Sequence, residues 1–109
     1  MHELSIAQAI VDTVSEAVGD ERVTEVVLEV GALSLVVPDA LQFCFELATA
    51  DTPLAGARLT ILQTPGEARC RVCQARVAMR AALGRCQCGA TDLEWLSGEQ
   101  LKIKTVEVA

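Results

Sequence analysis

Cys70-Arg71-Val72-Cys73 and, twelve residues on, Cys86-Gln87-Cys88-Gly89 divide this 109-residue chain into a body and an interrupting module. Two cysteine pairs at such a separation, each in a turn, form the skeleton of a Cys₄ metal site. Residues 67–98 are too few for an oily core of their own. A metal held by four thiolates supplies the missing folding free energy, because the ligands have no fixed arrangement without it. Four protein ligands leave no position for water, so such a site is structural. Zn(II) suits a thiolate tetrahedron best; iron of the rubredoxin type and a redox dithiol at Cys70 and Cys73 are the alternatives. The second pair, C-x-C, is one residue shorter than the usual ribbon pair and implies a different turn. The fifth cysteine, Cys44, lies in Phe43-Cys44-Phe45 and reads as a small core hydrophobe.

Working outward from the module, the body alternates helices and strands. Leu4, Ala7, Ile10, Val11, Val14 and Val18 follow the i, i+3, i+4, i+7 spacing of an amphipathic helix over residues 4–18. Ser5 with Gln8 offers a capping box, and Gly19 a stop. Residues 23–30 form a strand, with Thr24, Val26, Leu28 and Val30 on its more apolar face. Pro38 suits the first position of a second helix over residues 38–50, lined by Leu41, Phe45 and Ala48. Asp51, Thr52, Pro53 and Gly56 mark a loop, residues 57–63 a second strand, and Pro65-Gly66 a break. A last strand follows Gly98, with Leu101 and Ile103 alternating against Lys102 and Lys104. If it returns to the first sheet, the cysteine module is an insertion. The expected fold is therefore α+β: two helices on a small three-stranded sheet, residues 1–66 plus 99–109, with a zinc-ribbon-like module inserted at 67–98.

Composition excludes several function classes. The net charge is −6, hydrophobic residues make up 51% and aromatics 3%. An acidic chain with no basic run is not built for nucleic acid or an anionic membrane surface. No apolar stretch approaches a membrane span and no signal-peptide pattern opens the chain, so the expected location is cytoplasmic. Five cysteines in that compartment favour metal ligation over disulfides. No P-loop, G-x-G-x-x-G or G-x-S-x-G occurs. The sole histidine is residue 2, so no Ser-His or Cys-His nucleophile can be assembled in a pocket, and the chain does not read as an enzyme.

That histidine has its own chemistry. The α-amine of Met1, the amide and imidazole of His2 and the carboxylate of Glu3 lie within a few bonds. With the amide deprotonated, amine, amide and imidazole nitrogens chelate one ion in adjacent five- and six-membered rings. This flat, nitrogen-rich set suits Ni(II) or Cu(II). The plain alternative is a surface histidine on a loose terminus, with Glu3 serving the helix dipole.

Met1-His2-Glu3-Leu4-Ser5, Val30-Gly31-Ala32-Leu33-Ser34, Pro38-Asp39-Ala40-Leu41-Gln42-Phe43-Cys44-Phe45, Gly56-Ala57-Arg58-Leu59 and Gly98-Glu99-Gln100-Leu101-Lys102-Ile103 occur in order along the chain. With the cysteine module they resemble the HypA/HybF family of hydrogenase nickel-incorporation proteins over essentially the whole length. The resemblance implies a nickel metallochaperone that binds Ni(II) at its N-terminus and carries structural zinc. It also implies work with the GTPase HypB to load the large subunit of [NiFe]-hydrogenase. Carried onto this chain, His2 is the main nickel ligand, Met1 and Glu3 contribute backbone or terminal nitrogens, and Asp39 is a further acidic candidate. Cys70, Cys73, Cys86 and Cys88 carry over to zinc. The chain departs from the family in having Cys86-Gln87-Cys88 where C-P-x-C is usual, and in lacking histidines beside the zinc cysteines. A zinc-ribbon adaptor without nickel transfer and a rubredoxin-like electron carrier are the competing readings. An exposed strand edge allows either a monomer or a domain-swapped dimer.

Overall fold

A computed structural model describes residues 2–81 and 83–109. The elements run α1 (Glu3–Val18), β1 (Val23–Gly31), α2 (Pro38–Thr49), β2 (Arg58–Thr64), β3 (Gly66–Cys70), β4 (Arg76–Met79), β5 (Leu93–Ser97) and β6 (Leu101–Val108). They form two three-stranded sheets, ordered β2-β1-β6 and β4-β3-β5. The fold is the expected one: two helices with a small sheet, and a cysteine module that interrupts it before the final strand returns. The chain divides into two compact units. One holds the residues up to Leu28, Val36–Leu62 and Ile103–Ala109; the other holds Glu29–Leu35 and Gln63–Lys102.

In the first unit, α1 buries Ala7, Ile10, Val11 and Val14, and α2 buries Leu41, Phe45 and Thr49. These aliphatic stripes, with Val23, Val26 and Leu28 of β1, Leu54 and Leu59, make an almost tyrosine- and tryptophan-free core. β1 and β6 run antiparallel: the Ala109 N–H donates to the Arg22 carbonyl at 2.9 Å, and Thr24 Oγ1 donates to the Glu107 carbonyl at 3.2 Å. Pairing the C-terminal strand with the first strand makes the cysteine module an excursion between strands of another sheet.

The start of α1 differs from the sequence reading, and that of α2 agrees with it. α1 begins at Glu3 with His2 as its N-cap residue, so Ser5 and Gln8 sit inside the helix and form no capping box. Leu4, placed on the apolar stripe by spacing, is 45% exposed. Gly19 ends the helix as expected, at φ 64°, with its N–H bonded to the Ser15 carbonyl. Pro38 starts α2, with Val37 at the N-cap.

In the second unit, the cysteine module is built from three short strands. β3 pairs antiparallel with β4 (Gly66 opposite Met79, Ala68 opposite Val77) and with β5 (Ala68 opposite Trp95, Cys70 opposite Leu93). Leu33, Ala68 and Met79 form its small core, with Val77 and Leu93 packed against them. Pro65-Gly66 is a strand start, not a simple break. Gly66 is there for space: a Cβ on it would lie 2.6 Å from Leu33 Cδ1. The segment after β1 is stitched into this unit by Leu33 N–H to the Gly98 carbonyl at 2.7 Å, and Gly31 N–H to the Gln100 carbonyl at 2.8 Å.

Candidate metal centres

Cys70 is the last residue of β3, and the turn that follows carries Cys73. Gln74, at φ 67°, reverses the chain into β4, and its N–H closes the turn on the Cys70 carbonyl at 2.9 Å. The N–H groups of Val72 and Cys73 both point at Cys70 Sγ, each at 3.4 Å. This is the local geometry that C-x-x-C encodes: backbone donors gather around the first sulfur, where negative charge will sit.

The C-x-C pair reaches the same place by another turn. Cys86 N–H bonds to the Ala90 carbonyl at 3.0 Å, and Gly89 N–H bonds back to the Cys86 carbonyl at 2.9 Å. Gly89 stands at φ 93°, which a side chain would resist. The missing residue is thus absorbed by a tight turn around Gln87 and Gly89. Cys86 ends up buried and Cys88 exposed, matching buried Cys70 and exposed Cys73 across the site.

The four sulfurs all lie within 4.8 Å of one another, with Cys73–Cys86 at 3.5 Å and Cys70–Cys88 at 3.7 Å. A tetrahedron with zinc–sulfur bonds of about 2.3 Å has edges of about 3.8 Å, so the donor set fits a Zn(II)-sized tetrahedral ion. The electrostatics of the sulfurs agree with a need for a cation. The Cys73 N–H, helped by that of Val72, holds Cys70 down to about 7 against burial. At Cys73 the Ala75 N–H favours the thiolate, but the crowding sulfurs of Cys86, Cys70 and Cys88, with burial, push it up to about 11. Cys88 is likewise raised: the Ala90 N–H is outweighed by the Cys70 sulfur, burial and the Cys86 sulfur. Four sulfurs this close cannot all be anionic unless a cation shares the site.

At the other end of the chain, His2 is exposed at the head of α1, and its carbonyl accepts the first helical bond from Ile6 at 3.2 Å. Glu3 Oε2 accepts a hydrogen bond from the Val37 N–H at 3.2 Å. That bond, then the Glu3 N–H itself, holds the carboxyl below the usual carboxylate range. Glu3 therefore ties the start of α1 to the N-cap of α2. Asp39 is exposed in the first turn of α2, two residues beyond Val37. Met1 lies outside the described residues. Among the described residues, the side chains of His2, Glu3 and Asp39 are not drawn into a metal-sized cluster like that of the cysteines. Sequence reading missed the part played by Val37, whose backbone donor sits 34 residues from its acceptor and leaves no trace in local pattern.

Residues 1–108 match the protein family described as hydrogenase/urease nickel incorporation, metallochaperone, hypA. The chain belongs to the HypA family of nickel-incorporation metallochaperones. It is 49% identical to the hydrogenase maturation factor HypA of Geotalea uraniireducens over 109 residues, covering 99% of each chain. It is 47% identical to that of Trichormus variabilis over 108 residues, 99% of this chain and 96% of the relative. Among solved structures, that of the nickel metallochaperone HypA from Helicobacter pylori superposes with a TM-score of 0.63 at 19% identity, covering 99% of this chain and 97% of that one. At that identity the likeness supports the HypA fold alone.

Proposed function

We propose that this HypA chain carries Ni(II) at its N-terminus and delivers it to the large subunit of [NiFe]-hydrogenase, acting with the GTPase HypB in the cytoplasm. The cargo site is Met1, His2 and Glu3, with the α-amine, the His2 amide and the His2 imidazole as the nitrogen donors. One observation carries this reading: the sole imidazole of the chain is exposed at the N-cap of α1, where the backbone is extended and not yet helical. Glu3 anchors the segment to α2 through its carboxylate, which accepts the Val37 N–H. Asp39, in the first turn of α2, is the second carboxylate of the same helix ends. A site on a terminus opens by fraying, and protons compete for its imidazole and amide, so it can hold an ion and still release it.

Cys70, Cys73, Cys86 and Cys88 hold the resident Zn(II), which neutralises their charge and sets the turns that carry β3, β4 and β5. Zinc has no redox chemistry here; it fixes a platform. Among the described residues no helix is long and apolar enough to cross a membrane.

The test is Ni(II) titration of untagged protein against His2→Ala, with zinc content measured in both. His2→Ala should lose stoichiometric nickel binding and keep its zinc. Tight nickel binding retained in that variant sinks the terminal site, and wild type that binds no nickel favours a zinc-ribbon adaptor.

A further inference from the structure

The zinc-ribbon unit has a feature that zinc binding does not use. Residues 68–91 hold five arginines, Arg69, Arg71, Arg76, Arg80 and Arg85, and no Asp, Glu or Lys. Arg71 pairs with Asp92 and Arg76 with Glu67, while Arg69 faces Glu94 across β3 and β5. Among the described residues, Arg85 makes a long bond, at 3.4 Å, to the Gly89 carbonyl and no ion pair. It lines a cavity of about 390 Å³ together with Met79, Leu83, Gly84, Leu93 and Trp95. Met79 is buried and belongs to the unit's core, so it forms the floor. Leu93 and Trp95, two residues apart on β5, share a face of that strand. Gly84 lets the loop lie on the floor, since a Cβ there would meet Met79 Sδ at 2.8 Å. Leu83 is 93% exposed, and Trp95 is 38% exposed. Nothing in folding calls for a leucine held almost wholly in water beside a half-open tryptophan.

We infer that this cavity is a docking site for an acidic protein segment that inserts one large apolar side chain beside Trp95 and sets its carboxylates against Arg85. Charge complementarity names the occupant. The lining is mostly apolar with Arg85 as its cation, and the nearby carboxylates are engaged elsewhere: Asp92 pairs with Arg71, and Glu94 lies opposite Arg69, on the other face of β5 from Leu93 and Trp95. Trp, Met and Arg are also the residue types concentrated in the centres of protein interfaces. The volume lies at the small end of the roughly 300–1,000 Å³ of ligand pockets, enough for a side chain or two and not for a folded element. A nucleic-acid strand is the less favoured guest, because a single arginine beside a mostly apolar lining offers no run of phosphate contacts. The inference concerns the zinc-ribbon unit and stands apart from the nickel reading.

Trp95 is the sole tryptophan, so its emission reports the cavity directly. The probe is a short blocked peptide with Leu-Phe at its centre and two acidic residues on either side, added to zinc-loaded full-length protein. A saturable change in Trp95 emission is expected, weakening as salt is raised. Binding should fall about fivefold or more in Arg85→Gln, and similarly in Leu83→Ser, with zinc content unchanged in both. Because Leu83 is almost fully exposed, that variant cannot lose binding through unfolding. No saturable change up to millimolar peptide overturns the proposal. So does an equal response to the same peptide with lysines for its carboxylates, or to oligothymidylate. Unchanged affinity in both variants overturns it as well, as does emission that shifts with protein concentration alone, which would make a second copy the occupant.

Discussion

Glu3 and Val37 join the beginnings of both helices: the carboxylate of the first residue of α1 accepts the backbone N–H of the residue that caps α2, at 3.2 Å. A carboxylate is well placed there, because the unsatisfied N–H groups and dipole of a helix start favour negative charge. The same residue belongs to the proposed nickel site, and under that proposal the bond would couple the posture of the terminus to α2. The Glu3 carboxyl is held below its ordinary range in the folded chain, first by the Val37 N–H. Its stabilising effect is therefore full above the unfolded carboxylate pKa and is lost as pH falls through the lower folded value. Thermal melting of wild type and Glu3→Gln should differ at neutral pH and converge in acid. A gap that persists at low pH would show that the ionised carboxylate is not what holds the helix starts together.

Uptake of the proposed zinc tests the cysteine module. With Cys73 and Cys88 raised and Cys70 near 7, thiol protons must leave as the ion enters. Zinc uptake should release protons, and affinity should weaken as the solution is acidified, more steeply once Cys70 is also protonated. Isothermal titration in buffers of different ionisation enthalpy measures the proton count. Cys88→Ser should lose zinc as fully as Cys73→Ser, because the C-x-C turn places its second sulfur in the cluster. A Cys88→Ser chain that keeps one tightly held zinc would assign the fourth ligand elsewhere.

Three glycines can be ranked by what a methyl group would strike. On Gly31 a Cβ would lie 2.0 Å from the Gly98 carbonyl oxygen, which is backbone and cannot yield. On Gly98 it would lie 2.5 Å from Gly66 Cα, with φ at 117° in addition. On Gly19 it would meet nothing within 4 Å, leaving only the cost of φ 64°. Gly31→Ala and Gly98→Ala should each destabilise by about 1–3 kcal/mol or more, as overpacking against unyielding atoms does. Gly19→Ala should cost about 1 kcal/mol. Urea unfolding midpoints give the order, and equal costs at Gly19 and Gly31 would contradict it.

Phe43 and Phe45 flank Cys44 on α2 but face opposite environments: Phe45 is 1% exposed and Phe43 is 62% exposed. Phe45→Ala should lose about 3–5 kcal/mol through lost transfer energy and the cavity left behind. Phe43→Ala should change stability by less than about 0.5 kcal/mol. If Phe43→Ala proves as costly as Phe45→Ala, the exposed ring is covered in solution.

What could be read along the chain is what local chemistry dictates. The stripe of Ala7, Ile10, Val11 and Val14 follows from the helical period, Gly19 from its tolerance of positive φ, and Pro38 from its fixed φ and missing N–H. The four cysteines announce a shared ion because few other uses explain two thiol pairs at that spacing, and the ordered strings announced the HypA family. Three things needed the tertiary structure. The tie between Glu3 and Val37 is one, because a carboxylate finds its donor by distance in space. The strands β3, β4 and β5 were hidden because Ala68, Val77 and Leu93 are too few and too interrupted by arginines to show alternation; pairing and the small core around Met79 make them strands. And whether C-x-C could close the sulfur tetrahedron turned on the turn at Gly89, a matter of backbone angles that composition does not carry. Local periodicity is written in neighbours; contacts between residues 34 apart are decided only when the chain has packed.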